Sequence, residues 1–147
     1  MIPKDIDYLK IEKVYKKLSS HIIKTPILNN SSYFNKFFNT NLFLKLEFLQ
    51  HSGCFKARGA INNVLNLTDS EKKNGITAVS AGNHAIASSY VADKFSIKNK
   101  IFLYDSANEY RKSKVKSLRK KKDEKNVWFR RAKVNPLRKN LQIKQNS

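Results

Sequence analysis

From Asn41 to Leu118 the chain alternates between short apolar runs and helical patterns, and this alternation restricts its fold more than any other feature. Asn41–Glu47 reads as a strand with Leu42, Leu44 and Leu46 on one face. Ala57, Ile61, Val64 and Leu65 then recur at helical spacing. Thr68-x-x-Glu71 is a capping box that opens a short helix, with Gly75 as its stop. Ile76–Ser80 reads as a buried strand, Ala85–Phe95 as a helix rich in small residues, and Lys100–Tyr104 as the next strand. Ser106-x-x-Glu109 is a second capping box, opening a helix that reaches Leu118. Strands alternating with helices imply parallel pairing in an α/β sheet covered on both faces. Ligands of such sheets bind beyond the carboxyl ends of the strands. The Ser52–Lys56 and Ser80–His84 turns both follow expected strands, which directs attention to them.

Upstream, Ile11, Val14, Tyr15 and Leu18 mark an amphipathic helix. Thr25-Pro26 ends that pattern, because the residue before proline is pushed out of the α region. A second short helix is expected over Ser32–Phe38. The N-terminus shows no apolar run behind a basic stretch, so no signal peptide is expected, and no segment has the apolar length of a membrane span. A cytoplasmic protein that does not engage membranes is the default expectation. The lone Cys54 excludes an internal disulfide and a cysteine-based zinc site, and no metal site is expected.

The net charge of +19 suggests a polyanion partner until its distribution is considered. Residues 1–110 carry 15 Lys+Arg against 9 Asp+Glu, whereas residues 111–147 carry 15 against 2. The excess therefore belongs to the last quarter of the chain. Arg119-Lys120-Lys121-Lys122 is a self-repelling run, Trp128 and Phe129 stand without a period around them, and Pro136 interrupts the stretch beyond them. Residues 1–118 are read as the folded part, and 119–147 as a basic tail, mostly disordered or weakly structured. A solvated cationic tail without a chosen partner is the preferred reading. RNA binding through the tail, with Trp128 and Phe129 stacking on bases, is the alternative.

The chemistry concentrates in Lys45–Ala60, KLEFLQHSGCFKARGA. Lys56 follows a Ser-Gly turn and an aromatic residue and stands at a helix start. An amine nucleophile must be neutral to react, and Phe55 with the apolar helix after it is expected to supply the desolvation that favours the neutral form; the alternative is a solvated lysine on the first turn of a helix, beside Arg58. Cys54 reads as a small buried core residue. The second chemical segment, Ser80-Ala81-Gly82-Asn83-His84-Ala85, has the form of a strand, a tight turn and a helix start, where backbone N–H groups receive anions.

Lys45, Glu47, Gln50, Gly53, Phe55, Lys56, Arg58, Gly59 and Ala60 match, in register, a pattern found in the threonine/serine dehydratase family of pyridoxal-phosphate enzymes, which this chain resembles from about Lys24 to Leu118. The resemblance implies the N-terminal part of a fold-type-II, tryptophan-synthase-beta-like enzyme, including most of its small α/β subdomain. It implies a three-layer α/β architecture on a parallel sheet, incomplete in this chain. Lys56 would bind pyridoxal phosphate as a Schiff base and move the substrate α-proton, and Phe55 would pack near the cofactor ring. Ser80, Gly82, Asn83 and His84 would surround the carboxylate of a small amino-acid substrate, and Asn83 would also touch the ring hydroxyl of the cofactor. Cys54 stands where the family usually has serine, and Ile86 where many members carry Gln. Members often form oligomers.

The family holds the cofactor phosphate in a later glycine-rich loop, whose backbone amides converge on one anion. This chain has four glycines, Gly53, Gly59, Gly75 and Gly82, none adjacent to another and none after position 82. The loss of periodicity and the jump in charge after Leu118 are read as out-of-frame translation of Arg119–Ser147, giving a truncated product with little activity alone. The expected activity of the intact family is conversion of a hydroxy amino acid to a 2-oxo acid and ammonia. A racemase or another lyase on the same scaffold is the alternative.

Overall fold

A computed structural model describes residues 7–29, 33–104, 106–118 and 127–130. The first helix, α1 (Tyr8–Leu18), begins at Asp7, whose side chain accepts from the Lys10 amide at 2.7 Å. The helix forms where the apolar spacing predicts it, but of that apolar stripe only Leu18 is buried. Ile11 and Tyr15 remain exposed because α1 meets the rest of the fold through its C-terminal end, where Leu18 enters a core with Ala60, Ile61 and Val64.

Two short strands, β1 (Ile27–Asn29) and β2 (Phe43–Lys45), flank helix α2 (Tyr33–Phe38) and pair antiparallel, with Leu28 opposite Leu44. This corrects the expectation of a longer first strand that joins the parallel sheet. Only Phe43–Lys45 is extended, its side chains are exposed, and the backbone turns at Glu47 into two consecutive 3₁₀ turns, Glu47–Leu49 and His51–Gly53.

Helix α3 (Lys56–Asn66) buries Ala57, Ala60, Ile61 and Val64 on one stripe. Helix α4 (Asp69–Asn74) has the expected reciprocal cap: Thr68 accepts from the Glu71 amide, and the Glu71 carboxylate accepts from the Thr68 amide at 2.7 Å. It stops at Gly75, whose φ of +89° suits a residue without a β-carbon.

Strands β3 (Ile76–Val79), β4 (Asn99–Tyr104) and β5 (Val127–Arg130) form a parallel sheet in the order β3-β4-β5, with Ala78 opposite Ile101 and Leu103 opposite Phe129. Helix α5 (Asn83–Lys94) connects β3 to β4, and α6 (Glu109–Ser117) follows β4. Because side chains alternate along a strand, Ala78, Ile101 and Leu103 share one face. They pack there with Ala85 and Ile86 of α5 and Val115 of α6. The opposite face carries Thr77, Val79 and Tyr104, all exposed among the described residues. The other side of α5 presents Ala87 and Val91 to α3, so this small-residue helix lies between the two core clusters. Each fully buried Ile, Leu or Val there is worth about 1.5–3 kcal/mol.

Two further expectations change. The cap of α6 is Asn108, which accepts from the Tyr110 amide at 2.8 Å, and not Ser106. Glu109 thus begins the helix, and its carboxylate meets Lys112 at 2.7 Å. Within the basic tail, Trp128 and Phe129 belong to β5, so these two apolar residues extend the sheet. The remainder of 119–147 lies outside the described residues. No helix among the described residues is long and apolar enough to cross a membrane.

Candidate active site

The backbone reverses sharply before the candidate lysine. Ser52 (φ 64°) and Gly53 (φ 72°) are successive left-handed residues, and Cys54 is extended and buried. Ser52 Oγ lies 3.8 Å from Cys54 Sγ, so the cysteine side chain faces the turn, as a small core residue would. Phe55 precedes α3 without a side-chain cap, and Lys56 is the first helical residue.

Lys56 projects into solvent, and its Nζ lies 4.9 Å from the centroid of the Phe55 ring. Phe55 is itself 58% exposed. The desolvated surroundings expected for the amine are therefore not supplied by Phe55 and α3. The apolar positions of this helix face its other side, where Ala57 and Ile61 are fully buried. Lys56 is exposed, and so are Phe48, Leu49 and Phe55 of the same segment.

The residues around Lys56 in the spaced motif form a framework for which residue type and spacing alone suggest no role. Glu47 accepts two bonds from Arg58, Nε to Oε2 at 2.8 Å and Nη2 to Oε1 at 2.7 Å. The hydroxyl of buried Thr25 donates to the same Oε1 at 2.6 Å, and the Lys45 amine donates to the Thr25 carbonyl. Hydrogen bonding from Arg58 holds the Glu47 carboxyl well below the ordinary carboxylate range, at about 2, against the opposing effect of burial. Gln50 is buried with both ends of its amide used. Its Oε1 accepts from the Ile23 and His51 amides at 3.0 Å each, and its Nε2 donates to the Ile23 carbonyl at 2.8 Å. Lys45, Glu47, Gln50 and Arg58 thus fasten the lysine segment to the stretch Ile23–Pro26.

The second segment stands at the end of β3. The Ser80 amide donates to the Phe102 carbonyl at 3.1 Å, continuing the ladder, and Ser80 Oγ accepts from the Gly82 amide at 3.1 Å. Gly82 occupies the N-cap position of α5 without a side-chain cap, and the Ala85 amide donates to the Gly82 carbonyl at 3.1 Å. Asn83 and His84 are exposed there, while Ser80 and Gly82 are half-buried. Ile86, at the position where glutamine is common, points into the core.

The two segments meet through α5. The His51–Gly53 turn packs on that helix, and the His51 ring stacks on Tyr90. The Ser80–His84 turn lies at the carboxyl edge of the parallel sheet, as expected. The lysine turn follows the antiparallel hairpin and the 3₁₀ turns rather than a strand of that sheet.

The family profile of pyridoxal-phosphate dependent enzymes matches residues 18–122, an interval that contains both segments. The chain belongs to that family. The cofactor of this family is pyridoxal phosphate. Among curated relatives, the chain is 40% identical over 100 residues to the catabolic L-threonine dehydratase of Escherichia coli K12, covering 68% of this chain and 29% of the relative. It is 34% identical over 108 residues to a protein named putative threonine dehydratase from Sinorhizobium fredii, covering 74% and 32%. The chain therefore spans about a third of the length of the curated relatives it matches. Among solved structures, maize serine racemase superposes with a TM-score of 0.75 at 26% identity, over 87% of this chain and 37% of that one. A threonine deaminase from T.th. does so with a TM-score of 0.68 at 27% identity, over 85% and 37%. The incomplete α/β fold is thus that of the fold-type-II pyridoxal-phosphate enzymes.

The residues present fit the aldehyde end of that cofactor. Lys56 offers an exposed amine beside an aromatic ring, and the uncapped start of α5 offers amides to an anion. The glycine-rich phosphate loop expected of the family has no counterpart after Gly82 in this sequence.

Proposed function

We propose that this chain carries the lysine-bearing part of a dehydratase acting on a small hydroxy amino acid, threonine or serine. The observation that supports the reading is the placement of Lys56 in the first turn of α3, joined through the His51–Gly53 turn to the helix that begins with Asn83 and His84. With pyridoxal phosphate bound, Lys56 Nζ would hold it through its aldehyde carbon and, once displaced by the substrate amine, would accept the proton from the substrate α-carbon. Phe55 would pack near the cofactor ring. The start of α5, with Ser80, Gly82, Asn83 and His84, would receive the substrate carboxylate, and Asn83 would also touch the ring hydroxyl. Pyridoxal phosphate supplies an electron sink for the charge left at the α-carbon. Loss of the β-hydroxyl, followed by hydrolysis, gives a 2-oxo acid and ammonia. Without a glycine-rich loop in the 147 residues, turnover by this chain alone stays near background.

A second reading is a racemase, favoured by the structural likeness to maize serine racemase. Racemisation returns the proton to the opposite face of the same α-carbon, so the lysine is needed in both readings. Transplanting Lys45–Ala60 and Ser80–Ala85 into the catabolic L-threonine dehydratase of Escherichia coli K12 separates them. The dehydratase reading expects 2-oxo acid release to persist. Loss of dehydration with a gain of racemisation would favour the second reading, and loss of both would remove the support for either.

A further inference from the structure

Among the described residues, Lys56 makes no polar contact that fixes its side chain; its amine neighbours the Phe55 ring. The direction in which the amine points is therefore set by the backbone of the first turn of α3. That turn is not fixed by a cap of its own, because Phe55 supplies no side-chain bond. Instead, the third residue of the turn, Arg58, reaches out of the helix to Glu47. The two parallel bonds of this pair constrain orientation as well as distance, which a single contact to a lysine would not do. Glu47 is in turn held by Thr25, which is 2% exposed. On either side of Lys56, the side chains of Cys54 and Ala57 are buried and cannot move freely.

We propose that Glu47 is a positioning residue for Lys56: through its forked pair with Arg58 it fixes the first turn of α3 and so the placement of the lysine amine. The functional part of this proposal rests on the reading of Lys56 as the cofactor lysine. Glu47 touches neither cofactor nor substrate in this account. Its carboxylate is half-buried and ionised, so its effect on Lys56 runs through the guanidinium it holds.

The test uses the intact 147-residue chain with two readouts. The first is reductive trapping with pyridoxal phosphate and borohydride. Condensation of a lysine amine with the aldehyde releases water, and hydride addition at the carbon leaves a stable secondary amine that peptide mapping locates. The second is amide hydrogen exchange at Ala57 and Arg58, which needs no cofactor. In Glu47→Gln, the label on Lys56 relative to the other lysines is expected to fall about tenfold, and exchange at Ala57 and Arg58 to rise by a similar factor. Arg58→Lys keeps the charge but loses the fork, and gives an intermediate result. Val115→Ala, which weakens the separate core cluster between α6 and the sheet, leaves both readouts unchanged at temperatures where all variants are folded.

Selective labelling of Lys56 in the wild type that persists in Glu47→Gln overturns the positioning role while leaving the lysine reading intact. Equal loss in Val115→Ala also overturns it, since labelling would then follow stability alone. Even labelling of all lysines in the wild type overturns the functional proposal along with the lysine reading. In that case faster exchange in Glu47→Gln would assign the pair a structural role only.

Discussion

The His51 imidazole and the Tyr90 ring stack with centroids 5.1 Å apart and planes inclined by 19°, joining the turn before Lys56 to the middle of α5. Burial lowers the pKa of His51 from its ordinary 6.5, and the nearby Lys94 adds to the shift. The fold thus prefers neutral His51. Its contribution to stability is complete above the ordinary value and is lost as pH falls through the lowered one. Thermal unfolding midpoints are expected to drop on acidification below about pH 6.5, and His51→Phe should flatten that part of the profile. An imidazole titration by NMR with a midpoint at or above the ordinary value would refute the assignment.

Glu47 predicts a second, more acidic transition. Its folded pKa of about 2 lies below the ordinary 4.5, so the stability from the Arg58 pair is present above 4.5 and disappears as pH falls toward 2. Denaturant unfolding of the wild type and Glu47→Gln across this range should show a gap that closes on acidification. A gap independent of pH would mean that the carboxylate charge is not what holds the pair.

Gly75 ends α4 and leads into β3. A β-carbon there would lie 2.6 Å from the Lys98 carbonyl oxygen, the same oxygen that accepts from the Ile76 amide to start the β3–β4 ladder. Gly75→Ala combines a left-handed backbone penalty with this overlap, and a loss of about 2–4 kcal/mol is expected in denaturant unfolding.

Thr68 begins the same helix through its reciprocal cap with Glu71. Thr68→Ala is expected to cost about 1 kcal/mol. Faster hydrogen exchange should appear in α4 and leave α5 unchanged.

The alternation of apolar runs and helical spacing is enough to locate α3 to α6 and the strands β3 and β4, because each has a local period or a turn residue such as Gly75. The hairpin is not legible in the same way. β1 has three residues with no alternation, and its pairing with β2 joins Ile27 to Lys45 across a helix. Ser106 and Asn108 both satisfy the chemistry of a helix cap, and the choice depends on which backbone turns first. Trp128 and Phe129 pair with β4 without a flanking pattern to announce them. At the candidate site, the helix start at Lys56 and the turn from strand to helix at Ser80–His84 can be read from residue type and spacing. The exposure of Lys56 cannot, since it depends on which side of α3 the core occupies. Nor can the role of Glu47, whose partners Thr25 and Arg58 come from separate segments.

The most direct test of the account is peptide mapping of the chain after limiting pyridoxal phosphate and borohydride, with the label compared across all 24 lysines. The account predicts that Lys56 carries most of the label and that Lys56→Ala does not pass it to a neighbour. Label spread across the lysines in proportion to their exposure, with no preference for Lys56, would contradict it.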